Sequence, residues 1–472
     1  MDKNILWIRN DLRIKNNTAL VKAVEDSLSN ERELSIIFHM NPDQFKTGSY
    51  SHDYFFSALN KFYTYLLSID VDIFFLYGDI EKSFNNFFDN FSDIKSIFIN
   101  ESERGYGGYR DTIVRNIAKK KGINFITLFD KHIHSAREVL KSDGSFYKVF
   151  TPYFNKWFYL DKPVEKEIDI NKLKKVFRRL DAVGELNKFK DILKKRVTNF
   201  DNICGEKLAL DKLKEFVTDK LYDYESKRDY PILDNTSHMS RFLTTGEISI
   251  KTVYSLINNE DDSKGKNTFI KELAWRDFYN MIYHANKNQK NLELNENYRN
   301  LDWKYNAEYF ECWKAGRTGF PIVDAAMRQL KNTGFMHNRL RMVVASFLVK
   351  DLLIDWRKGE EYFSNMLIDY DSASNIGGWQ WAASVGTDAS PYFRVFNPTT
   401  QGKKFDKEGK FIREYVPELR SVSSKYIHEP NKYKEKIYKE CGIKVGCDYP
   451  EPIVDHKMQR LKAIDMFRTY SI

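Results

Sequence analysis

The chain has 472 residues, 42% of them hydrophobic, a mean hydropathy of −0.57 and a net charge of +9. That length buries two or three cores, and no apolar run is long enough to cross a bilayer. The basic excess permits a polyanionic partner without requiring one, because 66 acidic residues stand against 75 basic ones.

Aromatic residues make up 15% of the chain, which suits large cores and also stacking on bases or flat cofactors. The cysteines Cys204, Cys312, Cys441 and Cys447 are far apart or oddly spaced and have no histidine cluster beside them. No metal is expected there; reduced thiols in a cytoplasmic protein are. The opening MDKNILWIRNDL reads as a strand and a polar loop, without a signal-peptide pattern.

The first 130 residues alternate between two patterns. Short β-rich runs fall at 5–8, 34–40, 71–77, 96–100 and 123–128, and helical spacing appears at 53–68 and 110–122. That alternation predicts an α/β domain, a Rossmann-like parallel sheet covered by helices, over 1–130. The segment GYGGY (105–109) does not fit G-x-G-x-x-G and is not expected at a strand-to-helix turn, so no dinucleotide site is assigned. Residues 131–200 hold few clear elements: KSDGSFYKVFTPYFNKW (141–157) reads as a turn and an aromatic loop within a long connector. From 201 to 472 the pattern is helical, punctuated by Gly and Pro. Pro321 starts one helix, and HNRLRMVVASFLVKDLLI (337–354) runs nearly apolar and is expected to be buried on most sides.

Four stretches could carry chemistry. TSHMS (236–240) suits a helix N-terminus, either as an ordinary cap or as a phosphate cradle. Glu272, Trp275, Arg276 and Tyr279 share one helix face, which fits a Glu–Arg surface pair or a pocket wall. Asn338 and Met342 share a face while Arg339 points about 100° away. In DYDSASNIGGWQWAAS (369–384), Asn375 and Trp379 fall on one helix face and Trp381 on another, preceded by Asp369 and Asp371. Those carboxylates could meet sugar hydroxyls or ring N–H groups, and they lack EF-hand spacing for a cation. Nucleophile-elbow, zincin and P-loop motifs are missing, so a cofactor that does the chemistry is the better account.

Two long stretches, WKAGRTGFPIVDAAMRQLKNTGFMHNRLRMVVASFLVKDLLIDWRKGEEYF (313–363) and NIGGWQWAASVGTDASPYFRVFNPTTQGKKFD (375–406), resemble the photolyase/cryptochrome family, most closely its class I cyclobutane pyrimidine dimer photolyases. Weaker similarity runs from IRNDLR (8–13) onward, so the resemblance covers essentially the whole chain. It implies an α/β antenna domain, a linker, and a large all-α domain that binds FAD, reduced in the active state. It also implies light-driven repair of UV-damaged DNA by electron transfer to a flipped-out dimer; a photoreceptor without repair activity is the alternative. No membrane is involved, and a monomer is expected.

By the same resemblance, Tyr224, Thr236, Ser237, His238, Met239 and Ser240 hold the FAD phosphates. Arg276, Asn338, Asp369, Tyr370 and Asp371 line the flavin, and Asn375 sits beside its central ring nitrogen, where an amide can adapt its hydrogen bonding. Glu272 and Asn375 are the catalytic candidates, Glu272 by bonding a thymine edge. Trp275 and Trp381 wall the flipped bases, with Asn338 and Met342 as further dimer contacts. Arg228, Arg339 and Gln401 lie at the DNA strand, where cationic contacts supply affinity rather than sequence choice. Trp303, Trp356 and Trp379 match the electron-transfer chain. Asn375, Trp381 and the absence of paired histidines in HNRLRM favour cyclobutane dimer repair within the family. One departure concerns the antenna: Gly107 stands where folate-binding members carry Glu, which leaves a deazaflavin, FMN or no antenna pigment open.

Overall fold

The computed structural model describes residues 2–470. Two compact units form, one from Met1–Tyr222 with Ser237–Lys287, the other from Asp223–Thr236 with Asn288–Ile472.

The first unit is built on a five-stranded parallel sheet: β1 (Lys3–Ile8), β2 (Glu33–Met40), β3 (Phe74–Tyr77), β4 (Ile94–Asn100) and β5 (Asn124–Leu128), in the order β3-β2-β1-β4-β5. The intervening helices are α1 (Thr18–Ser29), α2 (Tyr50–Ser68), α3 (Ile80–Asn90) and α4 (Gly105–Lys120). Side chains alternate across a strand, so the odd residues Ile5 and Trp7 of β1 share one core with Ile37, Ile97, Phe84 of α3 and Val114 of α4. Leu6 and Ile8 are buried as well, which is why these strands read as continuous apolar runs.

The two arginines of IRNDLR are buried beneath the sheet's loops. Arg9 pairs with Asp111 and Arg13 with Asp130. Burial alone would raise the Asp130 carboxyl, but the charges of Arg13 and Lys251 outweigh it and hold the group below its ordinary range. The segment GYGGY is the first turn of α4, four residues after β4, so it does sit at a strand-to-helix turn, contrary to expectation.

The connector also holds more structure than its composition suggests. Helices form at α5 (Phe150–Tyr159), Ile170–Val176 and Leu186–Lys194. The aromatic loop expected at 141–157 is therefore half helix. Its Tyr153 and Trp157 are buried, and Phe150 stacks on Trp275 at 3.7 Å. Asp277 fixes that arrangement. Its Oδ2 accepts the His134 backbone N–H at 2.9 Å and the Trp157 indole N–H at 2.8 Å, which ties α5 to the helix Lys264–Ala285.

The second unit is helical. Pro321 opens the helix Pro321–Thr333, where a missing N–H costs nothing. The apolar run after His337 is not one element. A helix Asn338–Ser346 passes into a π-helical turn, Phe347–Asp351, and Leu353 adopts a positive φ of 56° that ends it. Among the described residues, no helix is long and apolar enough to cross a membrane.

Burial pushes the Asp277 carboxyl up to about 6. Between the unfolded value of about 4 and that value the folded state binds more protons, so this group's contribution is greatest below about pH 4 and is lost as pH rises through about 6. The Asp277→Asn variant keeps an acceptor for both N–H groups, and thermal melts should lose this pH dependence. Asp277→Ala orphans two buried donors and should cost about 1–3 kcal/mol for each.

Candidate active site

The site is built from loop geometry in the second unit. Gly334 closes the helix Pro321–Thr333 at a positive φ of 69°, and its carbonyl accepts the Ile368 N–H at 2.9 Å. His337 then caps the next helix, its Nδ1 accepting the Arg339 N–H at 3.2 Å. With the helix start fixed there, Asn338, Arg341, Met342 and Ala345 fall at i, i+3, i+4 and i+7, and all four line one open cavity of about 150 Å³.

The opposite wall comes from Asp369, Tyr370, Asp371, Asn375 and Trp379, with Phe363 behind them. Arg341 links the two walls. Its Nη2 donates to both Asp369 oxygens, at 3.0 and 2.8 Å, and its Nε donates to the Met336 carbonyl at 2.7 Å. Asp369 is buried, so the guanidinium is what makes a charged carboxylate tolerable there. Asp371 is an N-cap: its Oδ1 accepts the Ser374 N–H at 3.0 Å and starts the helix Ser372–Ala382.

Glu360, buried on the helix Trp356–Met366, holds the next two residues. Its Oε1 accepts the Tyr370 hydroxyl at 2.9 Å and Asn375 Nδ2 at 3.1 Å. Glu360 thus anchors the Asn375 amide by one of its N–H groups. One of the two Nδ2 hydrogens is engaged there, which leaves the second N–H to donate and the carbonyl oxygen to accept.

Trp379 is 2% exposed and Trp381 half-buried, and only Trp379 lines the cavity, as helical geometry requires of residues two apart. Gly359 makes room for it: a Cβ there would lie 2.1 Å from the Trp379 ring. The ring contacts of Trp379 are with Phe363 at 5.1 Å and Trp313 at 6.2 Å. Trp356 is fully buried, donates to Glu293 Oε1 at 3.2 Å, and carries the Arg357 guanidinium 4.8 Å from its ring. Trp303 is half-buried beside Phe467 at 6.2 Å.

The other candidates are not among the residues that line this cavity. Glu272, Trp275 and Arg276 are half-buried on the helix Lys264–Ala285 in the first unit, where Arg276 Nη1 donates to the Lys131 carbonyl at 2.7 Å. In the TSHMS motif, His238 has a positive φ of 53° and leads into the helix Met239–Thr245, and Ser237 Oγ accepts the Met239 N–H at 3.3 Å. The unit boundary falls inside this motif, between Thr236 and Ser237. Tyr224 is buried with the Arg228 guanidinium 5.1 Å from its ring. Arg339 points away from the cavity, to Asp229 at 2.7 Å and over Phe405 at 4.5 Å. Gln401 lies half-buried on the helix Pro398–Phe405. Gly107, inside α4, has no space for a side chain: a Cβ would lie 2.7 Å from that of Ser102.

Four residues that shape the site were not singled out from the sequence: Arg341, Glu360, Gly359 and Trp313. Arg341 had a signal, a basic residue i+3 from Asn338, on the same face of a mostly apolar helix.

Comparisons with known proteins agree with this arrangement. Residues 4–167 match the family model "DNA photolyase", and residues 269–469 match "FAD binding domain of DNA photolyase". A deoxyribodipyrimidine photo-lyase of Alkalihalophilus pseudofirmus is 42% identical, covering 98% of this chain and 97% of that protein. Among solved structures, a bacterial class III photolyase from Agrobacterium tumefaciens superposes with a TM-score of 0.92 at 32% identity, covering 100% of this chain and 98% of that one. A Synechocystis cryptochrome reaches 0.87 at 25% identity, covering 99% of both chains. By sequence and by fold, then, the chain belongs to the photolyase/cryptochrome family, with deoxyribodipyrimidine photo-lyases as full-length relatives.

Proposed function

We propose that this DNA photolyase repairs cyclobutane pyrimidine dimers in UV-damaged DNA with light, acting as a monomer, and that the helical region 201–472 holds both FAD and the lesion, with 1–130 as antenna domain and 131–200 as linker. The observation that carries the proposal is the cavity wall on which Asn338, Asp369, Asn375 and Trp379 converge. Its donor set fits a flavin. Asp369 is a carboxylate already neutralised by Arg341, and the anchored Asn375 amide keeps its carbonyl oxygen as an acceptor, so both can receive ring N–H groups without a buried charge left over. Bound there in its reduced form and excited by light, FAD supplies the electron that opens the cyclobutane ring.

The chain's own residues do the rest of the work. Asp369 and Asn375 orient the ring, with Asn338, Tyr370 and Asp371 around them. Tyr224, Thr236–Ser240 and Arg276 are assigned to the cofactor from their motif positions. Trp275 and Trp381 offer flat apolar faces to bases that have left the stack, which every base can use. Glu272 accepts from the imide N–H of the lesion, and Met342 packs beside it. Arg228, Arg339 and Gln401 serve the strand; Arg339 must exchange Asp229 for phosphate to do so. Trp379, on the cavity wall, feeds electrons inward, with Trp356 and Trp303 as outer donors. No folate antenna is proposed, since Gly107 neither carries nor has room for the carboxylate; a deazaflavin, FMN or an empty antenna site is left.

The relation to a cryptochrome gives the second reading, a photoreceptor without repair, and one assay separates them. Protein with reduced FAD, under blue light, should restore thymine dimers in an oligonucleotide; dimers left intact with reduced FAD bound would falsify repair. Arg341→Met should lower stability by about 2–3 kcal/mol, less than a fully buried pair because the guanidinium side is partly solvated, and FAD content should fall with it. Adding Asp369→Asn should restore the melting temperature but not the cofactor; recovery of both would show a purely structural role. Trp381→Ala should weaken dimer binding by about 1–3 kcal/mol, the worth of one stacked base, and unchanged affinity would remove Trp381 from the lesion pocket.

A further inference from the structure

We infer that Phe150 is a positioning residue for lesion binding: it fixes the plane of the Trp275 ring and leaves one face of that ring for a base, which makes helix α5 part of the lesion site rather than a mere connector. The inference rests on the reading of Trp275 as a wall for the flipped lesion. The Phe150 and Trp275 rings lie 3.7 Å apart between centroids and 6° from parallel. Phe150 is buried, and Phe154 continues the stack outward, 5.8 Å away and tilted by 22°, with the Lys271 ammonium 5.7 Å from its centroid. One face of Trp275 is therefore closed to any ligand. Phe278 meets the indole edge-to-face at 5.5 Å and Tyr279 flanks it at 5.6 Å, yet Trp275 stays half-buried, so the ring keeps accessible surface away from Phe150.

Two free rings would not choose this stack. The quadrupoles of aromatic pairs favour offset or edge-to-face contacts, with centroids about 4.5–7 Å apart. The surrounding chain imposes the closer one. Pro152 sits in the first turn of α5, where a backbone N–H has no intrahelical partner, so the helix can begin at Phe150 itself. Tyr153 and Trp157, at i+3 and i+7 from Phe150, then seat α5 on the helix Lys264–Ala285: Tyr153 meets Phe278 at 5.2 Å, and Trp157 donates to Asp277 Oδ2 at 2.8 Å. Phe278 also meets Phe150 edge-to-face, at 5.7 Å. With α5 fixed in this way, the Trp275 indole cannot turn about its Cβ–Cγ bond without driving into Phe150. A wall already held in one rotamer loses little side-chain entropy when a base stacks on it, and that is how Phe150 contributes to affinity.

The test measures, in the dark, dissociation constants of the FAD-loaded protein for a single-stranded oligonucleotide carrying one thymine dimer and for the undamaged strand. Phe150→Leu keeps an apolar side chain but offers no flat face. It should weaken dimer binding about two- to tenfold, the worth of one side chain left to be immobilised, and leave the undamaged strand within about twofold of the parent. Phe150→Tyr keeps the face and should bind the dimer as the parent does. Trp275→Ala should weaken dimer binding at least about fivefold. In that background Phe150→Leu should add nothing further, because no plane is left to set. An equal loss in both backgrounds would show that Phe150 only supports the fold and would overturn the inference, as would unchanged dimer affinity in Phe150→Leu beside a weakened Trp275→Ala. Unchanged affinity in Trp275→Ala would overturn the wall assignment and the inference with it. If Phe150→Leu does not fold, Phe150→Met takes its place in the same cycle.

Discussion

The cavity of the helical unit depends on one ion pair. Arg341 stands partly solvated in a nearly apolar helix and Asp369 in a buried turn, where a lone carboxylate would not be tolerated. Pairing neutralises both and at the same time fixes the distance between the helix Asn338–Ser346 and the segment that enters Ser372–Ala382. Everything on the far wall follows from that spacing. Tyr370 comes within reach of Glu360, Asn375 is held by the same carboxylate, and Trp379 is left facing the cavity. Buried pairs of this kind contribute little net stability against an apolar substitute, so specificity of geometry is the better account of what this one does.

Much of the long motif that carries the family likeness proves to be scaffold. In RTGFPIVD, the Asp324 carboxylate accepts the Thr318 N–H and hydroxyl at 2.6 Å each, the Gly319 N–H at 3.1 Å and the Tyr449 hydroxyl at 2.6 Å. Gly319 needs its positive φ of 78°, and a Cβ there would lie 2.4 Å from the backbone of Glu451. Four satisfied bonds explain why a buried carboxylate is retained at a position outside the cavity lining. Motif residues are therefore of two kinds: those that hold the turn and those that line the site.

That distinction explains what could be read from the chain. The sheet was legible because strands buried on both faces are unbroken apolar runs, and all five appear within a few residues of their expected ends. Helix α5 was not, because Gly144, Pro152 and clustered aromatics look like a loop until Trp157 and Tyr153 find a core. The break after Ser346 was hidden for the opposite reason: a π-helical turn needs no special residue, and the apolar pattern runs through it. In the site, residues that present themselves to the cavity, such as Asn375 and Trp379, stood out through an i, i+4 pattern. Residues that act on those side chains from another helix did not. Glu360 and Gly359 share no periodicity with Asn375 or Trp379, and only the tertiary packing of two helices brings them together. Asp371 was legible as a carboxylate before a helix, yet its work as an N-cap is a backbone role that the same pattern fits equally well.

The two tryptophans of the GGWQW segment show how helix period divides labour. Side chains two apart point about 160° away from one another once the turn of the helix is counted. Trp379 thus packs inward against Phe363 and Trp313, into the space left by Gly359, while Trp381 remains half-exposed on the other side. In the proposed reading this keeps electron supply and lesion recognition on different surfaces of a single rigid helix. The separation has a chemical use. An indole that must lose an electron needs oxidisable neighbours and protection from water. An indole that must receive a base needs an open apolar face. One side chain could not meet both demands, and a helix that presents two at i and i+2 meets them without any change in backbone.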